Sequence, residues 1–195
     1  MSTPQHTDAP TKLFIQMSGV PGSGKSTLAR QLRPAINGVI IDHDVLRSSL
    51  LESGLLQFDQ AAKQAYLLQW AIARDVMKQG LSVIIDSTCN YDEVLSEGSA
   101  LAAQHGYEYW YIECKVQDID LLDQRLRARN PMASQRTSVD MPPAAARSAR
   151  VGVDSRALFM KWIDNPARPK DNVITVDSQK NSEDICNQVL RRIIG

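Results

Sequence analysis

The chain has 195 residues, no formal net charge and 43% hydrophobic residues, which suits one α/β domain with a proper core. The neutral balance argues against a long nucleic-acid footprint, although a short basic groove stays open. The longest apolar runs, such as "VII" and "YWYI", are too short to span a bilayer, and Cys89, Cys114 and Cys186 show neither zinc spacing nor a paired framework, which points to a reducing, cytoplasmic setting.

Residues 1–11 are polar, with two prolines and no apolar h-region, so they read as a disordered tail rather than a secretory signal. A single domain is expected over 12–195. Leu13–Gly19 reads as a buried strand, and Lys25–Leu32 opens a helix that Pro34 ends. Gly38–Asp44 is a second strand. A long helix is expected from about Asp59 to Gln79, with Ala61, Ala65, Leu68, Ile72 and Val76 on its inward face. Leu81–Ser87 is a third strand, and a helix after it closes at Gly106. Tyr107–Val116 is a fourth strand, in which Tyr107, Tyr109 and Tyr111 share one face and read as sheet packing; Trp70 and Trp162 read as core. An arginine-rich helix, a polar proline-bounded loop and a helix from about Pro143 follow, then strand Asn172–Asp177 and a last helix. Strands without polar alternation, separated by helices, predict an α/β fold with a parallel sheet covered on both faces.

The stretch "GVPGSGKST" carries Gly19, Gly24, Lys25 and Ser26 in the spacing G-x-x-x-x-G-K-[ST], between a strand and a helix. Glycines let the backbone turn its N–H groups around phosphate oxygens, and the helix N-terminus adds positive dipole at the same place. Gly22, Ser23, Gly24, Lys25, Ser26 and Thr27 are therefore the expected nucleotide-binding set. Lys25 reaches the β- and γ-phosphates, and Ser26 is an expected Mg²⁺ ligand.

"IDHDVLRSSL" ends the second strand, where ligands of open α/β sheets collect. Asp44 there suits a base that takes a proton from an attacking hydroxyl, and Arg47 suits a clamp on an anionic or hydroxylated acceptor. The competing reading makes Asp44 the N-cap of a helix starting at Val45. Asp42 reads either as a carboxylate on the metal side or as a residue one layer behind the ligands, and His43 is expected to face away along the strand. Asp86, after the apolar run "VII", is expected to hold Mg²⁺ through water; Ser87, Thr88 and Asn90 are aimed into the crevice. Among Arg125, Arg127, Arg129 and Arg136, the first and third share a helix face and are expected to meet the charge on a transferring phosphoryl group. The loop over about 129–143 reads as a lid that excludes water.

In this order "GVPGSGKST", "DHDVLR", "DSTCN" and "RLRAR" resemble the P-loop kinase family typified by the kinase domain of phage polynucleotide kinase. Gluconate- and shikimate-kinase-like enzymes and uncharacterised AAA_33 or zeta-toxin-like ATP-binding kinases belong to the same group. The resemblance runs from about Leu13 to the end. It implies a three-layer sandwich with a five-stranded parallel sheet of order 2-3-1-4-5 and a small lid. It also implies a general base at Asp44, an acceptor contact at Arg47, and nucleotide-phosphate contacts at Arg125 and Arg129. Relatives often read D-x-T-N after the third strand, whereas this chain has Cys89 where asparagine is expected, and sensitivity to thiol reagents is expected there.

Together these readings describe an ATP-dependent, Mg²⁺-requiring kinase whose acceptor is a small-molecule hydroxyl, or a nucleic-acid 5′-hydroxyl as a second possibility. No membrane or obligate protein partner is expected. The rival is a nucleotide-gated binding module that hydrolyses ATP slowly.

Overall fold

Apolar runs of about five residues become strands almost residue for residue. In the computed structural model, which describes residues 11–195, β1 (Leu13–Ser18), β2 (Gly38–Asp42), β3 (Ser82–Asp86), β4 (Glu108–Lys115) and β5 (Val173–Asp177) form one sheet. Its order is β2-β3-β1-β4-β5, and every neighbouring pair is parallel. The tail expected over residues 1–11 lies, apart from Thr11, outside the described residues.

The helices are α1 (Lys25–Leu32), α2 (His43–Glu52), α3 (Phe58–Lys78), α4 (Asp92–His105), α5 (Ile119–Ala128), α6 (Ser155–Asp164) and α7 (Ser182–Ile193). The two-residue alternation of each strand sends apolar side chains to both faces. Leu13, Ile15 and Met17 pack with Ile84 and Ile112 against Leu28 and Leu32 of α1 and Val189 of α7. Phe14, Val83 and Ile85 pack against Trp70 and Val76 of α3 and Leu101 of α4. Each such side chain contributes about 1.5–3 kcal/mol by leaving water. A third cluster, with Val20, Leu122, Leu126, Val139 and Phe159, seats the loop after α5 on the sheet edge.

Four details differ from the sequence expectation. On α3, Ala61, Ala65 and Val76 are buried, but Leu68 and Ile72 are 42% and 38% exposed. The buried ridge instead runs Ala61–Ala65–Gln69–Ala73–Met77, and the polar Gln69 disguises it. The helix expected from Pro143 is two 3₁₀ turns, Ala144–Ala146 and Ser148–Arg150, closed by i→i+3 bonds such as Arg147 N–H to the Ala144 carbonyl, and Gly152 (φ 78°) separates them from α6, which Asp154 caps. β2 stops at Asp42, so His43 opens α2 and is buried against α3 rather than facing away along a strand. Asp42, not Asp44, is the N-cap of α2, its Oδ1 accepting from the amides of Asp44 and Val45.

The tyrosines of the fourth strand are packing residues. Tyr107 donates to the carbonyls of Met77 and Leu81, Tyr109 to Gln16 Oε1 at 2.7 Å, and Tyr111 to the Ala167 carbonyl at 2.6 Å. Glu113, buried on β4, receives a two-pronged bond from Arg168 at 2.6 and 2.9 Å and one from Thr175.

Candidate active site

A parallel sheet ends all its strands on one edge, and here that edge carries the loops after β1, β2, β3 and β5. They enclose a cleft of about 1290 Å³ with α5 and the following loop over it. Gly22, Gly24, Lys25, Ser26 and Thr27 line it, with Asp42, Asp44, Arg47, Asp86, Arg125 and Arg129. Ser23 is buried behind them, its amide bonded to the Val20 carbonyl. The phosphate loop thus presents Gly22, Gly24 and the start of α1 to the cleft, with Ser23 as its inner strut.

Gly19, Gly22 and Gly24 take φ of 129°, 86° and 94°, a backbone that side chains disfavour. Gly24 occupies the N-cap of α1 and no side chain bonds the first-turn amides. α2, α5, α6 and α7 are capped by Asp42, Asp118, Asp154 and Asn181. Uncapped N–H groups at a helix start attract an anion. Lys25 Nζ donates to the carbonyls of Gly19 at 2.8 Å and Val20 at 3.1 Å, which leaves one of its three hydrogens free of those bonds. Burial lowers its pKa first, while the charges of Asp86 and Asp44 raise it and that of Arg129 lowers it.

Asp42 and Asp86 are register partners at the ends of β2 and β3. Burial pushes Asp42 up to about 6, with the Asp86 and Asp44 charges adding to the effect. Burial also raises Asp86, against the opposing Lys25 ammonium and a hydrogen bond from Ser26. The donors here, one hydroxyl and two carboxylates, are hard oxygens, which suit Mg²⁺ completed by phosphate and water. Among the described residues, no group of three or more His, Cys, Asp or Glu side chains is arranged to hold a metal. Phosphate oxygens would therefore have to complete the shell.

Both Asp44 carboxylate oxygens accept hydrogen bonds from the loop after α5: Ser134 Oγ on Oδ1 at 3.1 Å and Gln135 Nε2 on Oδ2 at 3.0 Å. Sequence reasoning missed these two residues, since they lie about ninety positions away with no local pattern to mark them. Arg47 stacks its guanidinium 3.6 Å over the Phe58 ring and donates to the Phe58 carbonyl, with Nε buried and unpartnered. His43 packs 4.1 Å from Tyr66 and shares a hydrogen bond with Gln69; burial depresses its pKa to about 4. Ser87, Thr88 and Asn90 line the same wall, and Ser87 Oγ is buried without a partner.

The arginines divide. Arg125 braces the phosphate loop, donating to the carbonyls of Gly22 at 3.3 Å and Ser178 at 3.1 Å. Arg129 donates to the Arg136 carbonyl at 2.6 Å and stands near Asp44 and Lys25. Arg127 pairs with Asp123 in solvent. Arg136 is a buried strut that donates to the carbonyls of Val139 and Met141 and packs over Phe159 and Trp162.

Cys89 corrects one expectation. It is fully buried at φ 51°, accepts a bond from Gln16 Nε2, and burial pushes its thiol up to about 12. A thiol of that kind resists reagents. No helix among the described residues is long and apolar enough to cross a membrane.

A protein of Chloroflexus aurantiacus assigned as a kinase has the same fold, at 18% identity and a TM-score of 0.67 over 94% of this chain and 97% of that one. The APS kinase CysC of Mycobacterium tuberculosis, solved with AMPPNP and APS, matches with a TM-score of 0.59 and 19% identity over 94% and 98%. A gluconokinase of Sinorhizobium meliloti gives 0.58 and 15% over 95% and 94%. Uncharacterised proteins of Mycobacterium bovis and Mycobacterium tuberculosis are 28% identical over 74% of this chain, which spans 31% of their length. The family model described as "AAA domain" (AAA_33) matches residues 14–150, the stretch that holds the phosphate loop, Asp44, Asp86, Arg125 and Arg129, and the chain belongs to that family of P-loop proteins.

Proposed function

We propose that the protein is an ATP-dependent phosphotransferase that moves the γ-phosphate to a hydroxyl group. One observation carries the reading: the uncapped start of α1 with Lys25, and the Asp44–Arg47 step of α2, face a single cleft with Arg129 between them. A nucleotide-gated module needs the first element and has no use for the second.

In this reading the amides of Gly22, Gly24, Lys25, Ser26 and Thr27, with the Lys25 ammonium, bind the β- and γ-phosphates. Ser26 and Asp86, with Asp42 beside them, would hold Mg²⁺, which supplies charge neutralisation at the phosphate oxygens. Asp44 orients the acceptor hydroxyl and takes its proton, and Arg47 anchors the acceptor. Arg129 meets the charge that develops on the transferring group, and Arg125 holds the phosphate loop in place. Residues 129–143 act as the lid within one kinase domain over 12–195.

A small acceptor fits better than a polynucleotide end. The lid residues Ser134 and Gln135 sit on Asp44, and Arg150 bonds Asp59 at 2.9 Å, tying the chain after the lid to the start of α3 on the acceptor side. The test offers γ-labelled ATP with Mg²⁺ and two acceptor pools. One holds 5′-hydroxyl oligonucleotides; the other holds sugar acids, nucleosides and amino alcohols. Label in the second pool is the expected result. Label in the first would make the acceptor a nucleic-acid end, and label in water alone would favour the nucleotide-gated module.

A further inference from the structure

We infer that Ser134 and Gln135 are positioning residues for Asp44, so that the base is set in its working orientation only when the lid is down. The inference rests on the reading of Asp44 as the general base.

The geometry is a clasp between α2 and the lid. Ser48 Oγ donates to Ser134 Oγ at 2.9 Å, and the Ser134 amide donates back to Ser48 Oγ at 3.1 Å. Ser134 Oγ passes its own hydrogen to Asp44 Oδ1 at 3.1 Å, close also to the Asp44 carbonyl at 3.2 Å. Gln135 Nε2 covers Oδ2 at 3.0 Å, and the same side chain accepts from the Met132 amide through Oε1, which fixes which end of its amide faces Asp44. Ser48 and Ser134 are both buried, so these bonds are poorly exchanged with water.

A carboxylate offers about four lone-pair directions. The lid takes one on each oxygen, which stops the carboxylate from rotating and leaves a lone pair on each for an incoming hydroxyl. The same lid segment carries the charge-bearing arginine: Arg129 Nη2 holds the Arg136 carbonyl at 2.6 Å, next to Gln135 in the chain. Arg136 is in turn packed 5.6 Å over Phe159 and 5.3 Å over Trp162. One rigid loop thus delivers Arg129 to the phosphate side and Gln135 to the base. Closing it completes both halves of the site in one movement.

The test uses the acceptor pool that takes label and six proteins: wild type, Asp44→Asn, Gln135→Met, Ser134→Ala, and each lid substitution combined with Asp44→Asn. Gln135→Met keeps length and removes the N–H. Each lid variant is expected to lose about tenfold in kcat, the worth of a hydrogen bond to a charged group. The acceptor KM and the Kd for AMPPNP with Mg²⁺, by calorimetry, stay within about twofold, as expected when only orientation is lost. Combined with Asp44→Asn, the lid substitutions cause less than about a twofold further loss, since no carboxylate base is left for them to orient. A kcat that is unchanged or raised overturns the inference, and a raised kcat would make the clasp an inhibitory contact. An equal tenfold loss in the Asp44→Asn background also overturns it, by making the effect structural. Wild-type rates in Asp44→Asn alone would remove the base reading itself, a failure separate from either.

Discussion

Gly19→Ala is the sharpest test of how tightly the phosphate loop is built. A Cβ at this position would overlap the Cys114 carbonyl oxygen of β4 and stand 2.6 Å from Ser23 Oγ, on a backbone with φ 129°. The carbonyl belongs to the sheet and cannot move aside, so the loop must. Gly24→Ala is the control, because it shares the strained backbone at φ 94° but its Cβ meets nothing nearer than Ser178 Cβ at 3.9 Å. Backbone strain alone costs about 1 kcal/mol. Overpacking against fixed backbone adds about 2 kcal/mol at Gly19. At about 2–4 °C per kcal/mol for a chain of this size, Gly19→Ala should melt about 6–12 °C low and Gly24→Ala about 2–4 °C low. Thermal circular dichroism without nucleotide measures both. Equal shifts would refute the packing argument, and an unshifted Gly19→Ala would refute the loop geometry.

Three further predictions concern stability and reactivity. The raised Asp42 carboxyl, near 6 in the fold, lies above its unfolded value of 3.8, so its stabilising effect is complete below pH 3.8 and is lost as pH rises through 6. His43, near 4 against 6.5, works the other way, giving stability that is lost as pH falls from 6.5 to 4. Asp42→Asn keeps a capping oxygen and leaves His43 in both proteins, so melts should show it gaining on wild type by about 1–3 kcal/mol between pH 4 and 6.5; a constant difference across that window would contradict the Asp42 assignment. Arg168→Leu strips the partner from buried Glu113, whose side chain is 4% exposed. With Arg168 itself partly in solvent, the cost should be about 3 kcal/mol by urea unfolding, and a loss under about 1 kcal/mol would mean that Thr175 and water suffice. All three cysteines are buried, so a thiol reagent at pH 8 should label none in the native state and all three after unfolding; rapid native labelling of Cys89 would contradict its placement.

The strands and the phosphate loop were legible because their signals are local. Five apolar runs and a G-x-x-x-x-G-K-S spacing at Gly19–Ser26 each fit within ten residues. The α3 face departs from its expected pattern because the buried ridge includes Gln69, a polar residue that reads as surface; in the fold its Oε1 meets the His43 ring while its Nε2 is buried without a partner. The cap of α2 falls on Asp42 rather than Asp44 because β2 ends two residues before the expected Asp44, which leaves Asp44 in the first helical turn, where both its oxygens accept from the loop after α5. The clasp from Ser134 and Gln135 was invisible, since it joins segments that only the fold brings together. Cys89 looked accessible because it follows a strand end, yet its left-handed backbone turns the thiol inward onto Gln16.

In the proposed reaction Asp44 activates an acceptor hydroxyl rather than merely sitting in a helix turn. Single-turnover transfer from γ-labelled ATP to the acceptor pool that takes label, compared between wild type and Asp44→Asn, tests it directly. Loss of a general base predicts a fall of about a hundredfold or more, with the Kd for AMPPNP and Mg²⁺ held within about threefold. Transfer by Asp44→Asn within about threefold of wild type would mean that Asp44 takes no proton from the acceptor.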